Sequence, residues 1–190
     1  NSLAFINMNN ALIMSKIKKI KYQSKIIKVN TKLNNKFINK FENNNFLKGS
    51  NLENLSFVVK ISKILKVDKD NLFETVKKFR GLKYRQQIIL NKKNLVIIND
   101  SKSTSYSSST EILKERNNIY WIFGGISKKG DKFHLPKKYF KNIKGYIFGK
   151  NKKKFLSDLN NKIKIKKFSN LKKAWLTVIK DIKNDSSKKK

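Results

Sequence analysis

Leu95-Val96-Ile97-Ile98-Asn99-Asp100-Ser101-Lys102-Ser103-Thr104 is the stretch that decides how this chain is read. Four successive apolar residues form the pattern of a short strand. Ser107 to Lys114, which carries Ile112 and Leu113, reads as a helix. Between the two lie an Asp, a Lys and hydroxyls at a strand's carboxyl end, where open α/β sheets bind their ligands. The Lys can meet a phosphate or carboxylate as a point charge. The hydroxyls can orient such a group, and the Asp can hold a polar partner such as a ribose hydroxyl. Taken alone, Ser101 to Thr110 would pass for a Ser/Thr-rich linker. The strand before it and the helix after it argue against that.

Strands and helices alternate outward from this stretch. Downstream, Ile119 to Phe123 reads as a strand, Tyr146 to Phe148 as a strand and Lys152 to Leu159 as a helix. Ile163 to Ile165 reads as a short strand and Leu171 to Ile182 as an amphipathic helix. This alternation predicts an α/β fold with a largely parallel, Rossmann-like sheet. Just upstream, Gln87 to Leu90 and Asn94 to Ile98 flank Asn91-Lys92-Lys93 as a hairpin. Further upstream the order is a buried strand at Leu3 to Asn7, a helix from Ala11 to Ile20, and β-like segments from Lys25 to Phe46. A helix follows from Asn51 to Leu65, and then a second one capped by Asp70 and ended by Gly81. The tail from Ser186 to Lys190 reads as frayed.

Composition narrows the classes. A chain of 190 residues that is 38% hydrophobic can bury a core, so wholesale disorder is excluded. The chain has no cysteine, so a disulfide framework or thiolate metal site is excluded too. No apolar run is long enough to span a bilayer. Asn1 to Phe5 lacks the charge and length of a signal peptide, and there is no initiator Met. The expectation is a piece of a cytoplasmic protein. The net charge of +34 invites a polyanion-binding reading. Yet Lys, Asn and Ile abound along the whole chain while Gly, Pro and Arg are scarce, the pattern of drift in a low-GC genome. The lysines form no single stripe.

Four further segments bear chemistry. Asn9-Asn10-Ala11-Leu12-Ile13-Met14 follows the first strand, and Gly49-Ser50-Asn51-Leu52-Glu53-Asn54 opens a helix. Phe79-Arg80-Gly81-Leu82-Lys83-Tyr84-Arg85 joins the two halves of the chain. Tyr120-Trp121-Ile122-Phe123-Gly124-Gly125-Ile126-Ser127-Lys128-Lys129-Gly130-Asp131 runs from a strand into a glycine turn. His134 is the one histidine and receives no role. Trp121 and Trp175 are expected in the core. Asp158, Asp181 and Asp185 are expected on solvated helix faces. No cluster in the sequence suggests a metal site.

Together these segments resemble the Mur ligase family, from about Phe5 to Ile182. The Asn99–Thr104 run resembles the signature Asn-Asp-Ser-Lys-(Ala/Ser)-Thr of the branch that adds D-glutamate. The other segments resemble the family's Asn-x-Asp-Asp, Gly-x-His-Asn-x-x-Asn, Phe-x-Gly-Leu-x-His-Arg and Gly-Gly-x-x-Lys-x-x-(Asp) patterns. Both acids of the first pattern are Asn here, and the family's two histidines are Ser50 and Tyr84.

The resemblance implies an α/β fold. Residues 1–80 would be the C-terminal part of a central ATP-binding domain and 81–85 the linker. Residues 86–185 would be an incomplete Rossmann-like C-terminal ligase domain, and 186–190 a disordered tail. It implies ATP-dependent ligation of D-glutamate to UDP-N-acetylmuramoyl-L-alanine through an acyl phosphate, in peptidoglycan precursor synthesis. Asn54, Arg85 and Asp100 would hold ATP, with Asn51 a neighbouring residue. Thr104 and Lys128 would hold D-glutamate, and Lys102 would stabilise charge at the reacting centre. ATP and Mg²⁺ are the implied cofactors, with the Mg²⁺ ligands upstream. The implied partners are the two substrates, with no specific nucleic acid and no membrane span, and a monomer is expected.

The sequence contains no Gly-x-x-Gly-Lys-(Ser/Thr) phosphate loop and no Ser-Pro-x-x-x-Ser-x-Asp-x-Phe segment. The expectation is therefore an internal fragment that does not catalyse alone. Two other readings compete. A basic nucleic-acid-binding module offers no account of the motifs' order. A Mur-type ligase of other amino-acid specificity conflicts with Asp100–Thr104.

Overall fold

The computed structural model describes residues 2–33, 35–41, 50–126, 128–150 and 152–187. They form two compact units, Asn1–Gly81 and Leu82–Lys190. Both are α/β, as the alternation predicts.

The first unit opens with β1 (Leu3–Asn7), α1 (Ala11–Ile17) and β2 (Lys25–Val29), a parallel strand pair joined by a helix. Asn10 caps α1 by accepting the Ile13 N–H at 3.1 Å. The strand expected to be buried is half-buried, with Leu3 exposed, because its sheet has two strands. Among the described residues, the β-like reading from Lys25 to Phe46 holds for β2 alone. A short helix α2 (Asn35–Ile38) and a 3₁₀ turn (Asn39–Phe41) follow, while 42–49 lie outside the described residues. Next come α3 (Ser50–Ile64) and α4 (Lys69–Lys78). Phe41, Leu55 and Val76 make this unit's core, with Leu33, Phe37, Val59, Leu72 and Phe73 packed on it.

The cap of α4 is Asp68 and not Asp70. The Asp68 carboxylate accepts the N–H groups of Asp70 and Asn71 at 3.0 and 2.9 Å, which leaves Asp70 in the helix's first turn. The helix ends at the extended residue Phe79. Gly81 does take a positive φ of 84°, but it lies beyond the cap.

The second unit begins with β3 (Gln87–Lys92) and β4 (Leu95–Asn99), an antiparallel hairpin turning at Lys93–Asn94, one residue later than the sequence suggests. Helix α5 (Tyr106–Glu115) follows. Then come β5 (Ile119–Gly124), a 3₁₀ helix (Lys137–Asn142), β6 (Ile143–Phe148), α6 (Lys153–Leu159), β7 (Lys164–Lys167) and α7 (Leu171–Ser187). Strands β5, β6 and β7 form a parallel sheet in that order. The hairpin forms a separate sheet, so Asp100 follows a hairpin strand and not a strand of the parallel sheet. Helix α7 continues past Ile182 to Ser187, so the first two residues of the expected tail are helical. Residues 188–190 lie outside the described residues.

Alternation along β5 and β6 sorts side chains to two covered faces, as a parallel sheet requires. Trp121, Phe123, Ile143 and Ile147 pack with Tyr106 and Leu113 of α5 and Leu159 of α6. Tyr120, Ile122, Tyr146 and Phe148 meet the stripe Ala174, Val178 and Ile182 of α7. Trp121 packs on the core as expected. Trp175 does not, because it lies off that stripe and is 38% exposed.

Of the three aspartates expected in solvent, Asp158 accepts from the Tyr106 hydroxyl of α5, and Asp181 and Asp185 face the sheet. Tyr146 donates its hydroxyl to Asp181 at 2.6 Å, and Lys166 reaches the same carboxylate at 2.6 Å. Tyr120 and Lys144 both donate to Asp185. Burial raises both phenols' pKa above the ordinary tyrosine value, and their aspartate partners add to it, so they stay protonated donors. Burial by itself would raise the Asp181 pKa. Hydrogen bonds from Lys166 and Tyr146, with the charges of Lys166 and Lys144, outweigh it and hold that carboxyl below its usual 3.8.

Two outcomes follow from this packing. Gly124 sits where an added Cβ would collide with the Phe148 carbonyl oxygen, a backbone atom that cannot swing aside. Gly124→Ala is expected to cost about 1–3 kcal/mol, read by urea denaturation. A folded pKa below the unfolded one means stability that is present above the ordinary carboxylate range and lost as pH falls through the folded value. Thermal scans should therefore show the melting temperature falling below about pH 4, and Asp181→Asn should flatten that fall.

Candidate functional site

The 100–104 segment leaves β4 as a tight, internally bonded turn. Asn99 Oδ1 accepts the Ser101 N–H at 3.1 Å, and the Asp100 carbonyl accepts the Ser103 N–H at 2.9 Å. The Asp100 carboxylate accepts from the Ser103 hydroxyl with one oxygen and from the Gln86 N–H, at 3.0 Å, with the other. Lys102 donates its backbone N–H to the Tyr84 carbonyl at 2.9 Å. Residues 84–86 are thus stitched to the 100–103 turn. An ionised carboxylate has about four lone-pair sites, so Asp100 keeps capacity for a further donor.

The stitching accounts for the backbone around Arg85. Tyr84 and Gln86 take left-handed conformations, φ +66° and +48°, which for such residues cost about 1 kcal/mol or more each. The Tyr84 carbonyl, the Tyr84 N–H (to Gln87 Oε1, 3.0 Å) and the Gln86 N–H are all satisfied there. Arg85 lies between them with its side chain exposed, next to the Asp100 turn.

Thr104 is exposed, and Ser105 after it caps α5 by accepting the Ser108 N–H at 3.4 Å. Lys128, also exposed, lies in the loop after β5. Its carbonyl accepts the Asp131 N–H at 3.2 Å, closing a turn in which Gly130 has φ +78°, a conformation glycine takes without penalty. The Asp131 carboxylate accepts the Tyr106 N–H at 2.7 Å. A chain of links therefore runs from residues 84–86 by hydrogen bonds to the Asp100 turn, along the backbone through Thr104 and Ser105 to the start of α5, and by the Asp131–Tyr106 bond to the Lys128 turn.

Five of the six candidate residues, Arg85, Asp100, Lys102, Thr104 and Lys128, lie along that chain. Asn54 lies in the first unit, exposed on the second turn of α3. Tyr106, Gln86, Ser103 and Asp131 carry the connections. Sequence reasoning gave them no role, although Lys-Lys-Gly-Asp at 128–131 is a turn signature. Among the described residues, no group of three or more His, Cys, Asp or Glu side chains is placed to hold a metal ion. No helix there is long and apolar enough to cross a membrane.

No protein-family model matches the chain. Curated relatives do. A UDP-N-acetylmuramoylalanine–D-glutamate ligase of Wolbachia sp. subsp. Brugia malayi is 35% identical over 126 residues, covering 66% of this chain and 25% of that protein. The enzyme of the same name from Wolbachia pipientis wMel is 31% identical over 137 residues, 72% of this chain and 27% of that protein. The one from Rickettsia felis is 33% identical over 149 residues, 78% of this chain and 33% of that protein. With the α/β architecture, these relatives make the chain a Mur ligase homologue. Its branch is that of the UDP-N-acetylmuramoylalanine–D-glutamate ligases, and it spans about a quarter to a third of the length of these relatives.

The geometry assigns Asp100 a task of its own, anchoring the linker. In Asp100→Ala the half-buried Gln86 N–H loses its partner. The second unit should lose about 1–2 kcal/mol, and the Gln86 amide should exchange with deuterium at least about tenfold faster.

Proposed function

We propose that this chain supplies the catalytic-face loops of an ATP-dependent ligase that joins D-glutamate to UDP-N-acetylmuramoyl-L-alanine in peptidoglycan precursor synthesis. One observation carries the reading: the Asp131 carboxylate binds the Lys128 turn to the N–H of Tyr106, two residues beyond Thr104 in the chain. The relatives' shared name supports the same substrates.

In this reading residues 1–80 belong to the central ATP-binding domain, 81–85 are the linker and 86–185 belong to the C-terminal ligase domain. The alanine carboxylate attacks the γ-phosphorus of ATP, ADP leaves with the electron pair of the broken P–O bond, and an acyl phosphate forms. The D-glutamate amine attacks its carbonyl carbon, the amide bond forms, and inorganic phosphate leaves with the electron pair of the broken C–O bond. The protein positions these groups and offsets developing negative charge.

Asn54 meets adenine, because an amide can both donate to and accept from the base edge. Arg85 forks onto phosphate oxygens with its planar guanidinium. Asp100 accepts from the ribose while anchoring the linker. Lys102 places its ammonium at the phosphate and carboxylate oxygens of the reacting centre. Thr104 and Lys128 hold D-glutamate, the Lys pairing with a carboxylate. Mg²⁺ would be held by residues upstream of this chain in the full-length ligase.

The reading is tested by kinetics on the chain and on a full-length ligase that contains it. Alone, without a phosphate loop, the chain should release no phosphate from ATP in the presence of D-glutamate and UDP-N-acetylmuramoyl-L-alanine. In the full-length enzyme, Lys128→Ala removes a charge-assisted bond worth about 1.5–3 kcal/mol, so the KM for D-glutamate should rise about tenfold or more. An unchanged KM with normal turnover would show that Lys128 does not touch the substrate.

A further inference from the structure

Asp131 does two things at once. Its N–H closes the turn that presents Lys128, at 3.2 Å from the Lys128 carbonyl. Its carboxylate takes the N–H of Tyr106, two residues beyond Thr104, at 2.7 Å.

Both ends of this link adjoin buried core residues. Tyr106 is 4% exposed, its ring packs edge-on against Phe133 and Phe155, and its hydroxyl donates to Asp158 at 3.3 Å. Phe133, two residues after Asp131, is 7% exposed in the same core. Lys154 adds a cation, reaching the Asp131 carbonyl at 3.4 Å and Asp158 at 3.2 Å.

We propose that Asp131 is a positioning residue that sets the separation of Lys128 and Thr104, and so the fit for D-glutamate. The inference rests on the reading above, in which those two residues hold that substrate. A carboxylate suits the position better than an amide. It faces the N-terminal end of α5, where negative charge is favoured, and its bond to an N–H is charge-assisted. Removing it leaves the first N–H of α5 unpaired and the Lys128 turn attached by its backbone alone. Lys128 would then sample many positions, and ordering it would subtract from binding.

The test is NMR on the ¹⁵N-labelled 190-residue chain, titrated with D-glutamate and with L-glutamate as the chirality control. The wild-type chain should show saturable shifts at the Thr104 and Lys128 amides with the D enantiomer, and a protected Tyr106 amide. Asp131→Ala should keep the core resonances of Ile147 and Ala174, lose at least about tenfold of the Tyr106 protection, and bind D-glutamate about tenfold more weakly. Asp131→Asn, whose carbonyl oxygen can still accept, should recover the protection and most of the affinity.

An Asp131→Ala chain that loses Tyr106 protection yet binds D-glutamate like the wild type overturns the positioning role and leaves the substrate reading intact. A wild-type chain with Tyr106 protected but no D-selective response overturns both. Should the alanine chain not fold, Asp131→Glu decides. It keeps the charge on a longer arm, so a lost D-glutamate response is expected and wild-type affinity overturns the proposal.

Discussion

Tyr106 is held at three points, and the arrangement of the second unit's loops depends on it. Its ring fills the core between Trp121, Phe133 and Phe155. Its N–H is bound by Asp131 and its hydroxyl by Asp158. Burial and the two nearby aspartates raise its pKa, so it remains a donor throughout the physiological range. Because it is the first residue of α5, it fixes where the helix starts. The preceding residues, Thr104 included, must then cross from that fixed point to the end of β4. The loop after β5 is drawn to the same point from the other side.

The few acids of this basic chain, 12 against 46 lysines and arginines, recur at such junctions. Asp68 caps α4, Asp100 anchors the linker, and Asp131 binds the start of α5. Asp181 and Asp185 join α7 to the sheet through Tyr146 and Tyr120, with Lys166 and Lys144 alongside. A lysine could replace none of them, because each accepts from an N–H or O–H and an ammonium has only protons to offer. Drift toward lysine on the surface is compatible with the fold so long as these acceptors stay.

Much of the fold is legible in the sequence because it is written in local periodicity. The runs Leu95–Ile98 and Ile119–Phe123 are strands within a residue, and Leu171–Ile182 is a helix on its stripe of Ala174, Val178 and Ile182. The misreadings have a common cause. Asp70 and Asp68 are equivalent as cap candidates until the turn before α4 is closed. The Lys25–Phe46 stretch has β-like composition, yet Phe41 packs on Phe73 of α4 and on Phe37 within a helical segment. Asp158, Asp181 and Asp185 read as solvated because lysines crowd around them. The tyrosines that claim them lie up to 65 residues away in sequence.

By itself the sequence determined the α/β class and the types of most elements, because short-range period carries that information. Only the tertiary structure decided that the hairpin before the 100–104 turn is a sheet of its own, that Asp100 holds Gln86 and that Asp131 ties the Lys128 turn to the start of α5. Those facts depend on which buried N–H and O–H groups find which acceptors once the core has closed. Chain packing sets such pairings across tens of residues, and no local pattern encodes them.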